Sequence, residues 1–183
     1  LSAAPDVTFR DYLQYVHGEA FSSRRSEAKR YWDSVLETLP SAPKLPAAVH
    51  DQNKAGFHRL RGEVDAVYWQ AFKQRCRKYN VTPSTALMTL FAVTLSRWSA
   101  NEALTLNVTL FNRHPVHEQV QQILGEFTNN TLVDFDDMTL PFIEQVRLVQ
   151  DKLLERIEYS LVDGVDLLRQ LARMNQNYSG ALM

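Results

Sequence analysis

One cysteine, Cys76, stands in the 183 residues, which excludes an internal disulfide and a cysteine-based metal cage. Glycine is scarce as well. The six glycines, at positions 18, 56, 62, 125, 164 and 180, never cluster, so the phosphate-cradling loops of P-loop and dinucleotide-binding proteins are missing. No run of about eighteen apolar residues occurs, so no spanning helix and no membrane partner are expected. Leu1-Ser2-Ala3-Ala4-Pro5 is too short and uncharged for a signal peptide. Neither sign of charge dominates: 20 Lys+Arg against 21 Asp+Glu leave a formal charge of -1, without the basic excess that nucleic-acid binding uses. The Gly-x-Ser-x-Gly elbow of serine hydrolases is absent too. A cytoplasmic protein is therefore expected, and the Asn-x-Ser/Thr triplets at Asn80, Asn107, Asn129 and Asn177 are not read as glycosylation sites. Leu1 is no initiator methionine, and both ends read as boundaries of a longer chain.

What is present is an ordinary globular composition, 45% apolar and 22% charged, at a length suited to one domain with a sizeable core. Thr8 with Asp11 three residues on, before Tyr12, Leu13 and Val16, predicts a capped helix ending near Gly18. A second helix opens at Ser22 or Ser23, with Ala28, Tyr31, Trp32, Val35, Leu36 and Leu39 on its stripe, and stops at Pro40. Pro40, Pro43 and Pro46 then enforce an extended, linker-like stretch as far as Lys54. Phe57 to Val64 alternates as a strand, and Asp65 caps a helix with Trp69, Phe72, Cys76 and Tyr79 in line. Thr82-Pro83 starts a helix so apolar around its circumference that it is expected at the centre of the core. Strands are predicted at Ala103 to Phe111 and Thr131 to Phe135, and helices from Thr139-Leu140-Pro141 to Leu161 and from Asp163 to Met174. The sum is an α/β (α+β) layered domain without internal repeats.

Few residues suggest chemistry. His114 and His117 flank Pro115-Val116 and could hold a metal if a carboxylate such as Glu118 joined them, but the proline argues for a solvated loop, and no metal site is assigned. Cys76 shares the stripe of Phe72 and Tyr79 and is read as buried and inert, and Asp134, Asp136 and Asp137 as a solvated turn. The less ordinary segment is Thr105 to Arg113, an apolar strand that carries Asn107 and ends in Asn112-Arg113. An amide and a guanidinium at a strand end can hold a carbonyl or oxyanion without a proton change. On the residues alone the favoured reading is that Asn112 turns the chain and Arg113 pairs with a carboxylate. Gly125-Glu126-Phe127-Thr128 invites the same two readings.

Four segments taken in order resemble the heterocyclisation domains of nonribosomal peptide synthetases, relatives of the condensation domains. Leu39-Pro40-Ser41-Ala42-Pro43-Lys44-Leu45-Pro46 looks like the family's Leu-Pro-x-x-Pro-x-Leu-Pro, and Thr82-Pro83-Ser84 with Leu87, Leu95 and Trp98 is similar to its next motif. Leu110-Phe111-Asn112-Arg113-His114-Pro115-Val116-His117 matches Leu-Phe-Asn-Arg-x-Pro-x-His, and Gly125-Glu126-Phe127-Thr128 resembles Gly-Asp-Phe-Thr, with Glu126 in place of aspartate. Asn129-Asn130-Thr131 is similar to ordinary condensation domains instead.

The resemblance implies a chloramphenicol-acetyltransferase-like lobe, with a mixed sheet covered by helices, one of two lobes around a tunnel. Residues 1–54 would be interlobe helices and the Pro-rich connection, and 55–183 part of the C-terminal lobe. It implies catalytic roles for Asn112 and Arg113, with Asn107, Thr109, Gly125, Glu126, Phe127 and Thr128 in contact with substrate. It implies no cofactor bound directly, but phosphopantetheine on partner carrier domains upstream and downstream, and the N-terminal lobe and remainder of the synthetase as further partners. The family's paired aspartates, Asp-x-x-x-x-Asp in the first lobe, are expected to have no counterpart here. Its Pro-Val-Val-Phe-Thr-Ser segment is expected beyond Met183, so this stretch should not turn over alone.

Overall fold

The computed structural model describes residues 4–46 and 59–174. Six helices and two strands follow in order: α1 (Phe9–His17), α2 (Ser22–Leu36), α3 (Ala66–Lys78), α4 (Pro83–Ser96), β1 (Leu104–Phe111), β2 (Thr128–Phe135), α5 (Phe142–Glu158) and α6 (Gly164–Met174). The expected mixture of helix and strand is what the chain forms. Among the described residues the sheet is the pair β1–β2, antiparallel, and continued past the end of β1 by the Asn112 N–H donating to Phe127 O at 2.7 Å. No helix among the described residues is long and apolar enough to cross a membrane.

The helix starts follow their caps. Thr8 Oγ1 accepts the Asp11 N–H and the Asp11 carboxylate accepts the Thr8 N–H, a complete capping box. Asp6 and Asp11 therefore do stand five positions apart, against expectation. The structure gives both local roles: Asp11 starts α1, and the Asp6 N–H donates to Gln119 Oε1 at 2.7 Å. Thr82 caps α4 through the Thr85 N–H, with Pro83 in the first turn. Asp65 precedes α3 without a side-chain cap. Asn80, after α3, takes a left-handed φ of 56°, which asparagine tolerates better than most residues.

The described residues divide into two compact units. One takes in 4–39, 106–133 and 153–174. In it Val7, Tyr12, Val120, Ile123 and Phe127 form a buried cluster. Phe9 and Tyr12 both meet the Phe127 ring edge-on. Trp32 is fully buried and donates its indole N–H to Tyr159 O at 3.1 Å. Arg25 of α2 donates to Val16 O and Gly18 O, satisfying carbonyls that the end of α1 leaves open.

The other unit takes in 40–46, 59–105 and 134–152. Its cluster is Cys76, Val81, Ala86 and Val146, so Cys76 is buried as expected. Gln150 Oε1 accepts the Thr82 N–H at 2.7 Å while its Nε2 donates to Asn80 O at 3.1 Å, fixing the α3–α4 turn.

Besides the aspartate spacing and the missing Asp65 cap, four expectations need correction or limits. Residues 59–64 form no strand: four of the six are Arg59, Arg61, Gly62 and Glu63, and among the described residues no strand pairs with them; Phe57 and His58 lie outside the described residues. The Pro-rich stretch is tied down over 40–46: Ser41 O accepts the Thr105 N–H, Pro40 O accepts Thr105 Oγ1, and Lys44 O accepts the Ala100 N–H. Proline removes donors but leaves carbonyls, and these hold it; residues 47–54 lie outside the described residues. Helix α4 buries Thr85, Ala86, Thr89 and Ala92, while Leu87, Leu90 and Phe91 are about half exposed. Its small residues, not its large ones, face the packing. Finally, Asp134 is buried and pairs with Lys152 at 2.5 Å, so the acidic cluster is not wholly solvated.

Candidate functional site

The two segments singled out in the sequence meet in the first unit. Asn112 follows β1 and Glu126-Phe127-Thr128 leads into β2, so antiparallel pairing brings them side by side. They line one cavity of about 140 Å³ together with Tyr12, His17, His114, Asn129, Ser160 and Asp163. Tyr12 is the post that holds the strand end. Its hydroxyl donates to Asn112 O and accepts the His114 N–H, both at 3.1 Å.

The side-chain amide of Asn112 faces the turn after α5. Nδ2 donates to Ser160 O at 2.8 Å and Oδ1 accepts Ser160 Oγ at 3.3 Å. Arg113 does not line the cavity. Its guanidinium lies over the Phe127 ring, 3.9 Å from the centroid, and Nη1 donates to Val120 O at 3.0 Å. Gly125 backs the same ring cluster, where a Cβ would come within 2.3 Å of Phe9. Thr109 meets Asn130 Oδ1 at 3.4 Å, and buried Asn107 Oδ1 has no hydrogen-bond partner among the described residues. Neither lines the cavity.

Glu126 is exposed, and the Thr128 hydroxyl and the Thr128 N–H, 2.7 Å from Oε1, hold its carboxyl below the usual range. It is a carboxylate at neutral pH, suited to attracting a cationic or donor group rather than to delivering a proton. His114 is pushed down, first by burial and then by the Arg24 charge, so its imidazole is neutral at neutral pH. No group of three or more His, Cys, Asp or Glu among the described residues is arranged to hold a metal.

Sequence reasoning missed Tyr12, Asn129, Ser160 and Asp163. Tyr12 was visible only as one apolar member of the α1 stripe, and Ser160 and Asp163 carried no local signal. Asn129 was in view as part of Asn129-Asn130-Thr131, yet without a partner to read it against.

A family model described as condensation domain matches residues 1–182. Bacitracin synthase 1 of Bacillus licheniformis is 32% identical over 182 residues, which cover 97% of this chain and 4% of that protein. Phenyloxazoline synthase MbtB of Mycolicibacterium paratuberculosis is 32% identical over 175 residues, covering 92% of this chain and 15% of that one. Among solved structures, the EpoB NRPS cyclization-docking bidomain from Sorangium cellulosum superposes with a TM-score of 0.82 at 29% identity, covering 98% of this chain and 37% of that one. The chain thus spans a small part of each of these relatives.

Proposed function

Since the chain belongs to the condensation-domain family, we propose that it forms part of a heterocyclisation domain of a nonribosomal peptide synthetase. The observation that carries the reading is the convergence on one cavity of Asn112 and His114, from the first segment, with Glu126, Phe127 and Thr128, from the second. Its similarity to a cyclization bidomain and to a phenyloxazoline synthase supports the same choice over simple amide formation.

In this reading the amine of a carrier-bound Cys, Ser or Thr attacks an upstream acyl or peptidyl thioester, forming the amide and releasing the donor carrier's thiol. The side-chain thiol or hydroxyl then adds to the new amide carbonyl, and loss of water gives thiazoline or oxazoline. Both steps build negative charge on a carbonyl oxygen, which needs donors held in place. Asn112, Glu126, Phe127 and Thr128 belong to the cavity wall, and Arg113 and Gly125 act on it from behind through Phe127 and Phe9. Asn107 and Thr109, on β1, are the more remote members of the proposed site.

Residues 1–54 are proposed as the interlobe connection and 55–183 as part of the C-terminal lobe, working in the cytoplasm with the N-terminal lobe and two carrier domains that bring phosphopantetheine arms. The stretch by itself is proposed to be inactive. The test uses the full-length synthetase, loaded with acyl donor and, in separate runs, cysteinyl, seryl and threonyl carrier. Product lighter by one water than the linear amide is expected from at least one acceptor. Linear dipeptide from all three assigns an ordinary condensation domain, and no product assigns a carrier-docking platform.

A further inference from the structure

Two asparagines on neighbouring strand ends act on one carbonyl. Asn112 Nδ2 donates to Ser160 O at 2.8 Å, and Asn129 Nδ2 donates to the same oxygen at 3.0 Å. A carbonyl oxygen has two lone pairs, and here each receives an amide. Asn129 reaches further: Nδ2 lies 3.5 Å from Val162 O, and Oδ1 accepts the Gly164 N–H at 3.0 Å and the Asn130 N–H at 2.8 Å. Asn129 thus grips both ends of the turn between α5 and α6.

That turn is itself a wall of the cavity, through Ser160, Leu161 and Asp163. It also has no slack on the strand side, since a Cβ at Gly164 would stand 2.4 Å from Asn130 O. Ser160 is buried. Removing either amide leaves its carbonyl short of a donor that water replaces only if the turn opens.

We propose that Asn112 and Asn129 are positioning residues that act jointly through Ser160 O, fixing the 159–164 turn against the strands, rather than donors to the reacting amide. The inference deepens the heterocyclisation reading in that the rate it controls is that reaction's; the clamp itself is independent of which product forms. A residue touching the reacting atoms and a residue clamping a turn differ in what else they change. The clamp alters the motion of the turn, and two members of one clamp are redundant in their loss.

The experiment uses the full-length synthetase with Asn112→Ala, Asn129→Ala and the double variant, with rates normalised to folded protein. Each single variant is expected to speed hydrogen exchange of the amides in 160–166 at least tenfold. Each should lower kcat by roughly the same factor with KM nearly unchanged, and the double variant should be no slower than the worse single one. Wild-type exchange in the turn with a lost rate, or multiplied losses in the double variant, overturns the clamp. If the alanine variants do not fold, Asn129→Asp serves. It keeps the acceptor for the Gly164 N–H but sets a carboxylate oxygen against Ser160 O. Relative to wild type at the same pH, its turn should exchange fast at pH 8 and return toward wild type when the carboxyl is protonated. No such pH dependence also overturns the proposal. A wild type that makes only linear dipeptide removes the heterocyclisation reading and leaves the exchange result standing.

Discussion

The Arg113 guanidinium lies over the Phe127 ring, its central carbon 3.9 Å from the centroid, while its Nη1 donates to Val120 O. The Arg113 side chain thus contacts the packing behind the cavity. The contact combines a cation–π interaction, about 0.5–2 kcal/mol according to desolvation, with one hydrogen bond to a buried residue. Arg113→Lys keeps the charge and loses the guanidinium that lies over the ring while donating to Val120 O. It should destabilise the intact condensation domain by roughly 1–2 kcal/mol, read from the urea midpoint, with Arg113→Ala costing more. An unchanged midpoint for both would remove the packing role.

The glycines near the cavity should differ in tolerance. At Gly125 an added methyl meets the Phe9 ring, whereas at Gly164 it meets the Asn130 backbone carbonyl. A ring can tilt, but a carbonyl in a paired strand cannot move without its neighbours. Gly164→Ala should therefore cost about 2–3 kcal/mol and Gly125→Ala less, both within the range of overpacking. Thermal unfolding of the two variants checks the order.

Lys152 links α5 to the chain after β2 through Asp134 and Asp136. Burial works against its charge, but the two carboxylates outweigh burial and raise its pKa above the ordinary 10.5. The sign follows: the raised value contributes stability that is present below the ordinary pKa and disappears as pH climbs through the folded one. Lys152→Met should lower stability by about 1–3 kcal/mol at pH 7 and should flatten the loss of stability on the alkaline side, seen in urea midpoints from pH 7 to 11.

Glu126 is lowered by the Thr128 hydroxyl and N–H. A lowered carboxyl contributes above its ordinary pKa, and that contribution is lost as pH falls through the folded value. Thr128→Val removes the hydroxyl and keeps the N–H, so the Glu126 pKa should move upward only part of the way to that of a free glutamate. Carboxyl NMR titration of both forms measures it, and an unmoved value would show that the hydroxyl has no part.

Much of the fold was legible because its signals are local. Thr8 with Asp11, and Thr82 with Pro83, announce helix starts through bonds made within one turn, and both form. The segments Leu110 to His117 and Gly125 to Thr128 were recognisable as a pair, and antiparallel pairing brings them together. The half-exposed Leu87, Leu90 and Phe91 defeated the buried-helix expectation because periodicity identifies a helix but not which of several apolar faces finds a partner. Nothing local in the sequence marks Asp134 as buried, because its partner, Lys152, is eighteen positions away in another element.

By itself the sequence determined most of the element order, the caps at Thr8 and Thr82, the chemistry available and the kinship of the chain, since each of these is set by residue types at short spacing. Only the tertiary structure decided what those residues do. Asn112 and Arg113 stand next to one another in sequence, yet one turns to Ser160 on the wall of the cavity and the other lies behind it on Phe127. What a side chain touches is set by the donors, acceptors and rings that reach it: Arg113 meets Val120 and Phe127 besides its near neighbour Phe111, and Asn112 meets Ser160, 48 residues away. No local pattern encodes a partner at that distance.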